Sequence, residues 1–227
     1  MTFIDGTHTF SKFKMILLIA GAIDANGHTF PLAYAVVPIE DEHWWTWFLD
    51  ELAIAYPRMK QSEEHVFMSD RQKGLVNAVA TSFPLSKPAF CCNHICENLT
   101  VKFGNDLKKQ FWKIAYAPTQ DKFKKALQEL RAINSPAAKY LDQIPHDLWT
   151  TYAFPLPRFH HLTNNCAETL NKIWRPIREL PPLQMIDQIY QWYLKEWRPR
   201  FLQPCHHTLF ADKSHKFKAL SSTPSLW

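Results

Sequence analysis

The chain has 227 residues, 46% of them apolar, which is enough for one large domain or a domain with an insertion and argues against wholesale disorder. The longest apolar run, MILLIAGAI at 15–23, is too short to cross a bilayer, and MTFIDGT has neither the basic start nor the cleavage site of a signal peptide, so a membrane partner is not expected. Five cysteines, an odd count, argue against a closed disulfide framework and suit a reducing compartment.

The net charge of +5 is unevenly spread. Residues 1–100 carry 7 basic and 11 acidic side chains, residues 101–140 carry 9 and 3, and residues 172–218 carry 9 and 4. The carboxylates sit early and the cations late. A polyanion would therefore be held by the later segments, solvated lysine faces being the plain alternative.

In chain order, TFID reads as a short strand ending at Asp5, and 14–23 as a buried strand. DANGH supplies an Asn-Gly turn, and 29–38 returns as the partner strand. Residues 43–56 have helical spacing, with Trp44, Trp47, Phe48, Leu52 and Ile54 or Ala55 on one face; that spacing favours core packing of the tryptophans over base stacking. HVFMS (65–69) is the next strand, 71–83 a helix, and PAFCC (88–92) a fifth short strand. Residues 97–150 contain no convincing strand. Within them, 119–133 is an amphipathic helix capped by Thr119, with Phe123, Ala126, Leu127, Leu130 and Ile133 inward. Residues 155–165 read as a loop and 165–174 as a helix. Residues 181–197 form a helix with Leu183, Ile186, Ile189, Tyr190, Tyr193 and Trp197 as its apolar stripe. The order predicts an α/β fold with a mixed sheet and flanking helices, compatible with an RNase H-like core and with other α/β folds.

Three acidic residues stand out by position. Asp5 ends the first strand, Asp70 ends the fourth, and Glu168 opens a helix after an Asn-rich loop. Carboxylates at strand ends are the oxygen ligands that hard divalent cations take. Each has a plainer alternative: an Asp-Gly turn for Asp5, a helix N-cap for Asp70, and a favourable helix-dipole contact for Glu168. Arg71 and Lys73 follow Asp70 at once, either where a phosphate backbone passes or as cover for a helix start. In CCNH (91–94), His94 is a candidate for contact with a phosphate or for ordering a metal site. The alternatives are a buried, satisfied histidine, or zinc held by Cys91, His94 and Cys96, for which no second matched pair follows. Lys108, Lys109, Lys122, Lys124 and Lys125 are further candidate DNA contacts. Trp112 joins them as a candidate stacking residue that is equally suited to packing inside its own segment. Cys205, His206 and His207 read as terminal residues and not as a metal cluster.

The blocks IDGTH, KFKMILLIAGAIDANGHTFPLAYAVV, SDRQKGLVNAV, CCNHICENL, HLTNNCAETLN and RELP, in that order, resemble the catalytic domain of Mutator-like element (MULE) transposases over about residues 3–200. The resemblance implies an RNase H-like five-stranded mixed sheet with an all-α insertion before the last catalytic helix. The core would occupy 1–104 and 156–202, the insertion 105–155, and a poorly ordered tail 203–227. It also implies a DDE triad of Asp5, Asp70 and Glu168 holding two Mg²⁺ or Mn²⁺ ions, with His94 as a nearby active-site element. The implied activity is metal-dependent DNA cleavage and strand transfer in the nucleus. Element ends and target DNA would be the partners, and the active form a homo-oligomer. The terminal DNA-binding and zinc modules usual in that family are not in this sequence. The expectation is therefore a fragment, or a copy whose end recognition is missing or separate. A domesticated, non-catalytic DNA-binding or regulatory derivative is the alternative function, and a general RNase H-like nuclease a weaker one.

Overall fold

The computed structural model describes residues 1–197; the expected tail at 203–227, with Cys205, His206 and His207, lies outside the described residues. Five strands form one mixed sheet: β1 (Thr2–His8), β2 (Ile16–Ile23), β3 (Thr29–Val37), β4 (Val66–Ser69) and β5 (Lys87–Phe90), in the order β3-β2-β1-β4-β5. β1, β2 and β3 run antiparallel, joined by a loop at 9–15 and a tight turn at 24–28. β4 pairs with β1 in parallel and β5 with β4, each after a helical crossover. This is the α/β, RNase H-like arrangement, a mixed five-stranded sheet flanked by helices.

The Asn-Gly turn forms as its residues dictate. Gly27 takes a φ of 82°, and the Asp24 side chain accepts from the backbone N–H groups of Asn26 and His28. β1 extends beyond its expected end at Asp5. It continues to His8 because β2 pairs with it along its whole length, from Phe3↔Gly21 to His8↔Ile16. The fifth strand stops at Phe90, and Cys91 becomes the N-cap of the next helix.

Alternation along the strands sorts the two faces. Ile4, Ile16, Leu18, Ala20 and Phe67 meet α1 (Glu42–Ala55) and α3 (Lys73–Ser82), which are separated in the chain by the short α2 (Pro57–Lys60) and by β4. The face of α1 differs from expectation by one position. Trp45, Phe48, Leu49, Leu52 and Ala53 are buried, whereas Trp47 and Ile54 are exposed. The helix starts at Glu42, capped by Asp41, and that start sets the rotation of the stripe.

α4 (Cys92–Phe103), α5 (Lys108–Ala115), α6 (Gln120–Ile133) and α7 (Ser135–Asp142) share a separate apolar core with Trp149 at its centre. Thr119 caps α6 as expected, through Lys122 N–H, although Ile133 at its end is exposed. The opposite sheet face is covered by α8 (Asn165–Ile173) and α9 (Pro182–Glu196). Cys166 and Ala167 meet Phe3, Met68, Ala89 and Cys91, while Leu170, Trp174, Met185 and Ile189 meet Leu17 and Ile19. α9 thus buries Met185 and Ile189, leaving Leu183, Ile186 and Tyr190 of the expected stripe exposed.

Gly21 lets α8 sit close to β2. A Cβ there would stand 2.9 Å from Leu170 Cδ1 and 3.1 Å from Cys166 Sγ. Replacing Gly21 by Val is expected to lower unfolding free energy by about 1–3 kcal/mol through overpacking. Denaturant unfolding of the two proteins checks this.

Candidate active site

The parallel register that pairs Phe3 with Met68 reaches Asp5 and Asp70 two residues later, where β1 and the end of β4 run side by side. Asp5 alternates with Phe3 onto the face that α8 covers, and Asp70 follows directly on the end of β4. Glu168 stands in the first turn of α8, exposed at the rim. Burial raises the pKa of Asp5 to about 7; the nearby positive charge of His94 opposes the rise, and the charges of Asp70, Glu40 and Glu168 add to it. The three expected carboxylates therefore lie within electrostatic reach of one centre. Among the described residues no three His, Cys, Asp or Glu side chains are drawn together as a formed metal cage.

The turn after β4 decides the role of Asp70 in the helix start. Gln72 is the N-cap of α3, its side chain accepting from Leu75 N–H. Asp70 Oδ1 accepts from Gln72 N–H at 3.0 Å, which shapes the turn, and Oδ2 takes no hydrogen bond from the described residues. Asp5 Oδ2 accepts from the Asn171 side-chain amide at 2.7 Å, and Oδ1 takes none from the described residues. The Glu168 carboxylate takes no hydrogen bond from the described residues. Each of the three thus keeps at least one hard oxygen donor unspent. That donor set fits a divalent cation of the magnesium type, which retains water beside a few carboxylates.

His94 lies in the first turn of α4, partly buried, with Nδ1 lacking a hydrogen-bond partner. Contact with the Cys91 side chain raises its pKa to about 9; burial pulls down, and the charges of Asp5 and Asp70 push up. An imidazolium facing two carboxylates follows. The candidate zinc ligands diverge: Cys91 belongs to the sheet-face core, whereas Cys96 packs into the helical core.

Three residues complete the site without having been anticipated. Glu40, between β3 and α1, rests its carboxylate on Gly6, where an added Cβ would stand 2.6 Å away. Trp45 Nε1 donates to Glu40 Oε1 at 3.2 Å, and Gln72 Nε2 donates to the Glu40 carbonyl, tying this carboxylate to the Asp70 turn. Burial raises the Glu40 pKa; the Trp45 bond opposes the rise, and the Asp70 charge adds to it. Asn171 is three residues after Glu168 and so shares its helix face. Arg178 is buried and donates to Thr7 Oγ1, to the His8 carbonyl at 2.9 Å and to the Asn171 carbonyl at 3.3 Å. It fastens the end of β1 to α8, and with it Asp5 to Glu168. Asn171 and Arg178 sit inside the NNCAETLN and RELP blocks, so a helical wheel gives the first. Nothing local marks Glu40, which reads as part of a helix start.

The expected DNA contacts divide. Arg71 donates to the Tyr140 hydroxyl and lies 5.6 Å from that ring's centre, joining the core to α7. Lys73 is exposed at the first position of α3. Lys108, Lys109, Lys122, Lys124 and Lys125 are exposed on the helical segment, and Lys122 and Lys125 line a surface cavity of about 450 Å³ with Tyr116. Trp112 is half-buried, its ring 5.3 Å from Phe111 and 5.6 Å from Tyr116.

The first 98 residues hold Asp5, Glu40, Asp70 and His94, and comparison with known families bears on that segment. Residues 1–98 match the MULE transposase domain. The MULE resemblance read from the residue blocks stands, and Glu168 lies beyond the matched segment. The chain is also 28% identical over 182 residues to the transposase for insertion sequence element IS905 of Lactococcus lactis subsp. lactis (strain IL1403). The aligned region covers 75% of this chain and 46% of that relative, so the chain spans about half the length of the protein it matches.

The raised pKa of Asp5 has a sign for stability. The unfolded chain ionises this group near its ordinary value of 3.8 and the folded protein near 7. Ionised Asp5 therefore opposes folding, with no cost below about pH 4 and the full cost above pH 7. In a chelator, Asp5→Asn is expected to stabilise the protein at pH 7.5 by on the order of 1–4 kcal/mol, with the gain vanishing toward pH 4. Urea melts across that pH range check it.

Proposed function

We propose that this chain is the catalytic core of a DDE-type DNA transposase, with Asp5, Asp70 and Glu168 as its metal-holding triad. The observation that carries the reading is the gathering of Asp70, Glu40, Glu168 and His94 about the half-buried carboxyl of Asp5. Like charges this close are unfavourable unless a cation or a proton offsets them. The match to a transposase domain and the similarity to an insertion-sequence transposase support DNA phosphoryl transfer as the chemistry such a cation would serve.

Asp5 and Asp70 would hold the ions from adjacent strands, and Glu168 from the rim. When bound, Mg²⁺ or Mn²⁺ supplies charge neutralisation at the phosphate and a lowered pKa for the attacking oxygen. Asn171 fixes the Asp5 carboxyl by occupying Oδ2, which turns Oδ1 toward the site. Arg178 holds α8 against β1 and so keeps Glu168 opposite Asp5. The His94 imidazolium places a positive charge where a phosphate would approach.

The reaction is in-line phosphoryl transfer. Water displaces the 3′ oxygen at an element end and leaves a 5′ phosphate. The freed 3′ hydroxyl then attacks a target phosphodiester and releases the target's own 3′ oxygen. No covalent protein nucleophile is required, because positioning and charge neutralisation account for most of the barrier reduction.

Asp70→Asn is expected to lower Mn²⁺-dependent cleavage of element-end DNA by about 100-fold or more while DNA affinity is retained. The same variant should lose most of the rise in melting temperature that Mn²⁺ gives the wild type. Normal cleavage, or an undiminished Mn²⁺ shift, would remove Asp70 from the site.

A further inference from the structure

β1 ends in a loop whose surface the catalytic chemistry does not use. Residues 9–15 turn β1 into β2 and are fixed at both ends. Thr9 N–H donates to the Met15 carbonyl at 2.8 Å, and Met15 N–H donates to Thr9 Oγ1 at 3.0 Å. Lys14 N–H donates to the Ser11 carbonyl, with Lys14 itself in the left-handed region at φ 50°. Phe10 N–H donates to the Arg178 carbonyl at 2.9 Å, which docks the loop on the segment after α8.

This fixed loop presents two phenylalanines to solvent, Phe10 at 51% and Phe13 at 50% exposure. Cations surround both rings. Lys12 Nζ lies 5.3 Å from the Phe13 ring centre, and the Arg178 and Arg175 guanidiniums lie 4.8 and 5.9 Å from that of Phe10. Lys12, Lys14 and Arg175 are exposed, and none forms a salt bridge with a described residue.

We infer that the loop at 9–15, with Arg175, is a docking surface for a DNA strand passing the candidate active site. Lys12, Lys14 and Arg175 would meet phosphates, and the Phe13 face would stack an unpaired base. Half-exposed aromatic faces beside unpaired cations are the combination that single strands use, since every base has a stacking face and every linkage a negative charge. An apolar protein partner would leave the three cations without countercharge, and the acidic cluster at Asp5 gives a polyanion no hold of its own. β1 runs three residues beyond Asp5 to His8, roughly 10 Å at strand rise, and the loop opens there. A strand with its reacting phosphate at Asp5 would thus reach the start of the loop about three stacked nucleotides away.

The identity of the strand rests on the transposase reading, but binding is read without metal, so the two fail separately. In EDTA, anisotropy of a fluorescein-labelled single-stranded oligonucleotide and of the matching duplex is measured for the full chain. Phe13→Ala should weaken single-strand binding about 10-fold and duplex binding less than about 3-fold. Lys12→Ala combined with Lys14→Ala should reduce the slope of log K against log salt for the single strand by about 1.4. Both changes lie on an exposed loop, and a wild-type melting temperature confirms the fold. Unchanged affinity and slope in these variants, equal losses for both DNA forms with Phe13→Ala, or no DNA binding by the wild type would overturn the inference. Loop-dependent binding in a protein that cleaves nothing with Mn²⁺ would leave it standing and remove only the catalytic reading.

Discussion

Crowding of negative charge around one half-buried carboxyl is the constraint on which the rest of this structure depends. Asp5 sits on a central strand, and Asp70, Glu40 and Glu168 bring three further carboxylates within electrostatic reach. Against them stand the raised imidazolium of His94 and, more distantly, the buried guanidinium of Arg178. A fold selected for stability alone gains nothing from this arrangement, since carboxylates in low dielectric repel one another and resist ionisation. The cost is met by the scaffold around them, and under the proposed function a bound cation would offset it.

The scaffold holds the charges by close contacts rather than by spare bonding. Gly6 leaves the space in which the Glu40 carboxylate lies, and Gly21 leaves the space in which Leu170 and Cys166 of α8 lie. Asn164, wholly buried, donates through its amide to the Ile4 carbonyl and through its backbone to Cys91 Sγ, so the start of α8 is pinned to both β1 and the start of α4. Arg178 pins the far end. With both ends of α8 fastened to the element that carries Asp5, the Glu168 position is set by tertiary contacts and not by its local sequence. The same Arg178 carbonyl anchors the aromatic loop at residues 9–15, which makes that loop continuous with the site.

Much of this was legible in the residues. Strand alternation, the Asn-Gly turn and the amphipathic spacing of α6 gave the order of elements, because each rests on local periodicity or turn chemistry. The faces of α1 and α9 were misjudged for a common reason. Both helices are apolar on more than one side, so spacing alone does not say whether Trp45 or Trp47, Met185 or Leu183, turns inward. At the site, Asp5 and Asp70 were visible as strand-end acids, although their adjacency depends on a parallel register that no local signal encodes. Asp70 proved not to be the helix cap because Gln72 takes that place two residues later. Glu40 was invisible, since its role comes from the lack of a side chain on Gly6, a residue 34 positions earlier. The aromatic loop leaves no mark on net charge per segment, because Lys12 and Lys14 are outweighed by the acids of the first hundred residues and Arg175 joins them only through the fold.

The most direct measurement is a crystal of the full chain soaked in Mn²⁺, with anomalous scattering collected at the manganese edge. Peaks within bonding distance of Asp5 and Asp70, with Glu168 closing the set, are expected, and they should vanish in the Asp5→Asn protein. Manganese found only elsewhere on the surface, or not at all beside Asp5 at saturating concentration, would contradict a metal-holding role for this cluster.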